Sequence, residues 1–330
     1  VRAFVFYLTK LALPFNLSPL YPHINTIDPF SFGYVEYIAS FILLLFITYI
    51  SLRSLKKNRL YSAVWFYYIT TLIPVIGIVP VGAHFAADRY TYLPSLGPFL
   101  LLGVGIGYIF ARSSKRGKAL LIAVLLFLFG ILTNKTITQI YVWKNSETLW
   151  TSVIKLFPYS TTAYINRGGG YAGMSNYQRA IKDLDTAIRL NPASLDAYKS
   201  RGNVYQRLGD SQQAIRDYSK AIELAVLESG DSKQTTKVYI NRGATYMAMG
   251  EYILAIKDFN EAIKLDPGYV EAYNLRGAAY VNTGDYRQAI KDLNTAIQLD
   301  PVSADAYYNR GTAYRRIEDN YRAINDFSMA

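Results

Sequence analysis

The stretch Asn241–Pro267, NRGATYMAMGEYILAIKDFNEAIKLDP, decides the fold. It opens on Arg242-Gly243, places Tyr246 three residues after the glycine, carries Ala255 followed by Ile256, and ends on a proline. The same marks recur across the second half of the chain. Arg-Gly stands also at Arg167-Gly168, Arg201-Gly202, Arg276-Gly277 and Arg310-Gly311, each with its tyrosine (Tyr171, Tyr205, Tyr280, Tyr314). An Ala-Ile pair follows at Ala180, Ala214, Ala289 and Ala323. Successive units are spaced by 34, 41, 34 and 34 residues, so one seven-residue insertion lies in or near Leu227–Lys237. Glycine and alanine suit the crossing of two antiparallel helices, and large residues such as Tyr171 and Leu184 fill the adjoining space. Pro158, Pro192, Pro267 and Pro301 end the second helices, because proline cannot extend them.

A 34-residue period with these residues is the tetratricopeptide (TPR) signature. The expected units are 161–194, 195–228, 236–269, 270–303 and an incomplete 304–330, with the insertion near 229–235. Val226 stands where the second unit's proline belongs, so its second helix is expected to run on. Upstream, Trp143–Pro158 reads as the second helix of a degenerate preceding unit, within a junction at 141–160. The solenoid is thus expected to begin without a flexible linker.

The arginine of every Arg-Gly pair is matched by an aspartate sixteen residues later: Asp183, Asp217, Asp258, Asp292 and Asp326. Five matches in five units predict an ion pair between the two helices of a unit or between neighbouring units, since a buried arginine needs a carboxylate. The rival reading makes the arginines a basic stripe for an acidic ligand. Two residues before each repeat glycine stand Asn166, Ser200, Asn241, Leu275 and Asn309, with Asn274 supplying the fourth unit's amide one residue earlier. In the O-GlcNAc transferase solenoid, a related repeat protein, asparagines at this position grip peptide backbone. Asn166, Ser200, Asn241, Asn274 and Asn309 are therefore the candidate peptide-binding residues, because an amide both donates and accepts. The competing expectation is that they are solvated or bond locally.

The first part of the chain is different. Residues 1–133 hold 11 Lys/Arg and 3 Asp/Glu, a net of +8, whereas the remainder holds 24 and 21, a net of +3. Apolar runs lie at about 34–52, 60–79, 95–111 and 119–140. Each is near the length of roughly 20 residues that spans a bilayer. Arg53–Arg59 and Arg112–Lys118 carry four basic residues apiece, while Pro14–Gly33 carries none and the loop around Val81–Pro94 only Arg89. That alternation puts the basic loops in the cytoplasm and delivers the solenoid to the extracytoplasmic side. The expected architecture is all-α: a polytopic helical membrane region over 1–140, then a TPR α-solenoid over 161–330. Residues 1–13 are too short to span alone and fit an interfacial amphipathic helix or part of a spanning one.

Composition excludes several classes. Hydrophobic residues make up 51% of the chain and charged residues 18%. A disordered chain would be poorer in the first and richer in the second. There is no cysteine, and the two histidines are His23 and His84. That leaves no thiol nucleophile and little room for a zinc site, so neither metal nor cofactor is expected. Nucleic acid is not an expected partner, because the repeat half lacks the electrostatic footprint.

The outward loop Gly82–Gly97 contains Ala87–Gly97, ADRYTYLPSLG, followed by a span, a basic loop, a further span and TPR units. This order, with Tyr7–Pro19 (YLTKLALPFNLSP) and the WKNSETLW junction, resembles the C-terminal part of the transmembrane-and-TPR-containing O-mannosyltransferases and their bacterial relatives. The resemblance implies a polytopic glycosyltransferase that takes mannose from a polyprenyl phosphate and transfers it to Ser or Thr hydroxyls. His84 and Arg89 would hold the lipid phosphate, and Tyr90 and Tyr92 would sit at headgroup depth. The bland alternative pairs Asp88 and Arg89 with neighbours and leaves the tyrosines as anchors. The family has more spans and an acidic first outer loop. Here the outer segments offer only Asp28, Glu36 and Asp88, and no general base is assigned. A Val start and an end inside a repeat fit an expectation that the sequence is part of a longer chain. The alternative function is a non-catalytic, membrane-tethered TPR scaffold.

Overall fold

The computed structural model of the chain describes residues 21–22, 34–55, 59–72, 84–86, 92–227 and 232–330. Two compact units divide at Ala163/Tyr164. The first contains α1 (Tyr34–Ser54), α2 (Arg59–Leu72), α3 (Tyr92–Arg112), α4 (Lys115–Val142) and α5 (Ser146–Leu156). A short antiparallel ribbon, β1 (Tyr21–Pro22) with β2 (His84–Ala86), pairs Tyr21 with Ala86 and Pro22 with His84. It is the one departure from helix among the described elements.

Helix α2 packs on both α1 and α3. Its Trp65 and Tyr68 are buried and stack with ring centroids 5.8 Å apart. Gly97 lets α3 approach, since a Cβ there would lie 3.1 Å from Val64 Cγ1 and 3.2 Å from Tyr67 Cδ1. Between α1 and α2 the Ser62 hydroxyl donates to the Ser51 carbonyl at 2.5 Å and lies 2.9 Å from the Ser54 hydroxyl, while Trp65 Nε1 donates to Thr48 Oγ1 at 3.1 Å. Small residues and such hydrogen bonds are contacts through which apolar helices pack where burial alone adds little.

Helix α4 has 28 residues and buries none of them. At the helical rise of about 1.5 Å per residue it is about 42 Å long. Its Phe127 and Phe129 are 70% and 68% exposed. The segments Ser95–Arg112 and Lys115–Val142 are long and apolar enough to cross a membrane. The expected second span is helical over Arg59–Leu72, with its continuation to Val79 outside the described residues. The basic stretch Arg112–Lys118 is mostly helix, with only Ser113 and Ser114 between α3 and α4, and Ser114 Oγ caps α4 by accepting from Gly117 N.

Ten further helices form five hairpins: α6 (Thr161–Gly173) with α7 (Tyr177–Leu190), α8 (Leu195–Leu208) with α9 (Ser211–Leu227), α10 (Ser232–Ala248) with α11 (Tyr252–Leu265), α12 (Val270–Thr283) with α13 (Tyr286–Leu299), and α14 (Ala304–Arg316) with α15 (Asn320–Met329). The turn inside each hairpin needs one left-handed residue. Glycine supplies it at Gly209, Gly250 and Gly284, with φ of 84°, 79° and 83°. Ser175 and Glu318 adopt φ of 57° and 65° instead, at the steric cost a Cβ brings there. Helix α9 has 17 residues against 14 in α7, α11 and α13, and it extends through Val226, where those units carry a proline.

Within a hairpin the repeat glycine is the crossing point. A Cβ on Gly202, Gly243 or Gly277 would come within 2.6–2.7 Å of the ring or branch of Tyr218, Phe259 or Leu293. Beside it, the repeat arginine clamps the second helix. Arg167 Nε and Nη2 donate to the two Asp183 carboxylate oxygens at 2.7 and 2.8 Å. The same two-pronged bond, at 2.6–2.8 Å, joins Arg201 to Asp217, Arg242 to Asp258, Arg276 to Asp292 and Arg310 to Asp326. Of the two placements open from sequence, the carboxylate pair lies within the unit. The remaining nitrogen reaches the preceding unit: Nη1 of Arg201, Arg242, Arg276 and Arg310 donates to Asp185, Ser219, Asn260 and Asn294. The tyrosine three residues before each arginine lies under the guanidinium, as Tyr239 does at 5.7 Å from Arg242. These contacts make the arginines structural rather than a ligand-facing stripe.

Two tests follow from this packing. Asp258→Ala strands the Arg242 charge, which keeps only 19% of its side-chain surface in water. The expected loss is about 3 kcal/mol in chemical denaturation, the lower end for breaking a buried pair. Replacing both partners, Arg242→Met with Asp258→Leu, should cost less than the single change. Gly243→Ala should cost about 1–3 kcal/mol through overpacking against Phe259. On α6 a Cβ at Gly169 meets nothing within 4 Å, so Gly169→Ala should raise stability by about 0.5–1 kcal/mol. A common effect for the two glycine variants would contradict the assigned crossing.

Candidate functional site

Successive first helices, from α8 through α10 and α12 to α14, approach one another more closely than successive second helices do. A stack built that way bends with its first helices on the inside. The inner surface therefore takes its chemistry from α6, α8, α10, α12 and α14. Glycine and arginine of each unit face the second helix, which turns the neighbouring polar positions toward the inner side.

Four amides there are joined in two pairs. Asn241 Nδ2 donates to Asn203 Oδ1 at 2.9 Å, bridging the second and third units, and Asn309 Nδ2 donates to Asn274 Oδ1 at 2.9 Å, bridging the fourth and fifth. The first pair extends inward. The Tyr218 hydroxyl lies 2.7 Å from Asn203 Oδ1 and 3.0 Å from Gln206 Oε1. Asn203 Oδ1 accepts from both Asn241 and Tyr218, which fills its two lone pairs, so the capacity for a ligand amide rests with the Asn203 N–H donors and with the Asn241 oxygen. The expected five-position ladder is thus two cross-unit amide pairs. Asn241, Asn274 and Asn309 belong to them, whereas Asn166 and Ser200 sit half-buried on α6 and α8 apart from either pair. Asn241, Asn274 and Asn309 thus bond locally, to amides of neighbouring units.

Asn203, Gln206 and Tyr218 escaped the sequence reading. Asn203 follows its repeat glycine instead of preceding it, and Tyr218 occupies the slot that Leu184, Phe259 and Leu293 fill with apolar atoms. A tyrosine at a position that otherwise takes leucine or phenylalanine was the available signal. Burial pushes the Tyr218 phenol well above its ordinary pKa, with Asp217 adding to the rise. It stays a neutral hydroxyl that can hold Asn203. The repeat arginines also shift upward. For Arg167, Arg201 and Arg310 the carboxylate hydrogen bond is the largest cause; for Arg242 and Arg276 burial is largest and opposes the charge, and Asp258 and Asp292 outweigh it.

In the first unit an apolar cavity of about 510 Å³ is lined by Ile47, Ile50, Tyr61, Val64, Trp65 and Leu101 among others. Ser51 also lines it, and its buried hydroxyl has no hydrogen-bond partner among the described residues. Of the loop residues proposed for a lipid phosphate, Arg89 and Tyr90 lie outside the described residues. His84 is described through its backbone in β2 and Tyr92 through its backbone at the start of α3.

Comparison with known proteins agrees with the repeat architecture. Family models described as "TPR repeat" match residues 171–209 and 279–317, and models described as "Tetratricopeptide repeat" match 193–268 and 259–291. Among solved structures, YrrB, described as a TPR protein with an unusual peptide-binding site, is 23% identical with a TM-score of 0.46, covering 55% of this chain and 89% of that one. MamA of Desulfovibrio magneticus RS-1 is 21% identical with a TM-score of 0.46, covering 51% and 91%. Among curated proteins, Protein O-mannosyl-transferase Tmtc1 of Drosophila melanogaster is 29% identical over 114 residues, 34% of this chain and 13% of that protein. Protein O-mannosyl-transferase TMTC4 of Homo sapiens is 26% identical over 126 residues, 38% of this chain and 17% of that protein. The matched stretches are a small share of both transferases. The chain carries tetratricopeptide repeats in its second half and, over about a third of its length, is similar to protein O-mannosyl-transferases.

Proposed function

We propose that the repeats hold an extended peptide along their inner surface, at the end of a multi-pass membrane region that keeps the solenoid on the extracytoplasmic side. The observation that carries this reading is the pair of cross-unit amide contacts, Asn203–Asn241 and Asn274–Asn309. Both retain donors and acceptors suited to a peptide group of any sequence. Within the reading, the similarity to protein O-mannosyl-transferases supports a role as the C-terminal portion of a polyprenyl-phosphate-sugar-dependent protein glycosyltransferase, with the solenoid presenting Ser/Thr-containing segments. The apolar cavity between α1, α2 and α3 has the chemistry to take a lipid chain beside such a reaction. His84, Arg89, Tyr90 and Tyr92 remain the residues proposed to hold a lipid phosphate. A scaffold that gathers protein partners without catalysis uses the same groove.

The test is binding of the detergent-solubilised chain to an array of unstructured Ser/Thr-containing peptides. Asn241→Ala should weaken binding about three- to tenfold, the worth of one hydrogen bond at ~0.5–1.5 kcal/mol, with the melting temperature held. Equal affinity of variant and parent rejects the groove. Mannose transfer from a polyprenyl phosphate to the bound peptide, assayed in native membranes, separates the transferase from the scaffold.

A further inference from the structure

The outer surface of the solenoid carries a segregated charge pattern that the net charge conceals. On the four complete second helices every described carboxylate is already engaged. The buried aspartates are held by the repeat arginines, Asp185 by Arg201, Glu223 by Lys220, and Glu261 by Lys264. The residue immediately before each buried aspartate is a cation: Lys182, Arg216, Lys257 and Lys291. All four are exposed, and none pairs with a carboxylate among the described residues. They recur at one position of the repeat, so they form a ladder with one charge per unit.

We propose that this ladder is a docking surface for an extended acidic segment of a partner protein. Charge complementarity is the first argument, because the repeat arginines neutralise the aspartates of these helices, and the two exposed glutamates, Glu223 and Glu261, are each balanced by a lysine of their own helix. Shape is the second. The second helices lie on the outside of the bend, so the cations follow a convex arc. A flexible acidic chain can track such an arc, whereas a flat bilayer meets it at a point. Three of the four are lysines, which act as point charges and suit carboxylates strung along a chain without demanding a fixed fork geometry. The surface is separate from the inner groove and does not depend on what the groove binds.

The experiment uses the full chain in a neutral detergent and a fluorescein-labelled peptide of alternating glutamate and glycine, read by anisotropy. Binding is expected at low ionic strength and should weaken steeply with salt, since exposed charges are screened. The variant Lys182→Glu/Arg216→Glu/Lys257→Glu/Lys291→Glu should bind at least tenfold more weakly. A control variant with the same change in net charge, Lys144→Glu/Lys155→Glu/Lys233→Glu/Lys237→Glu, should bind like the parent. All the changed residues in both variants are exposed, and circular dichroism confirms that each folds. No binding by the parent, or equal loss in the control, overturns the proposal. So does ladder-dependent binding to anionic phosphatidylglycerol vesicles in the absence of peptide binding, which reassigns the face to lipid.

Discussion

The two-pronged bond between the repeat arginine and the aspartate sixteen residues later holds the solenoid in register. It fastens the two helices of a unit side by side at the height where the repeat glycine allows them to cross. From the same guanidinium, Nη1 reaches back to the preceding unit, so one side chain fixes both the geometry within a hairpin and its stacking on the next. A planar fork with donors on three nitrogens can do this; lysine cannot. Isolated ion pairs of this kind need not stabilise relative to apolar packing. What they add here is geometry: each guanidinium ties its own hairpin and reaches the preceding unit at fixed positions.

That register sets which side chains the two faces of the solenoid present. Pinning arginine and glycine against the second helix leaves the inner faces of the first helices free to carry amides. Stacking brings Asn241 over Asn203 and Asn309 over Asn274. On the outside, the same clamps consume the aspartates of the second helices and leave the preceding cations unbalanced. The inner and outer chemistries are two consequences of one constraint.

The first unit is held differently. Over their described side chains, α1, α3 and α4 expose many aromatic and aliphatic groups, and α4 buries nothing. Contacts between α1 and α2 rest on serine, threonine and tryptophan hydrogen bonds, and α3 approaches α2 through the small residue Gly97.

Periodicity alone determined much of this protein. The repeat spacing, the Arg-Gly pairs, the terminating prolines and the sixteen-residue Arg-to-Asp interval are local or strictly repeating features, so helix positions and hairpin crossings were legible without coordinates. The apolar runs were legible for the same reason, since composition over ~20 residues reports the surroundings a helix needs. What the linear order left open was partner choice. Whether Arg242 would reach Asp258 in its own unit or a neighbour's carboxylate depends on inter-helix angle, and the folded chain answers that it takes Asp258 and adds Ser219. The groove pairs were further from view. Asn203 meets Asn241 across 38 residues and one insertion, and Tyr218 joins them from the core of its own unit. Contacts between units depend on how the hairpins rotate as they stack, a property of the assembled solenoid that no single repeat encodes.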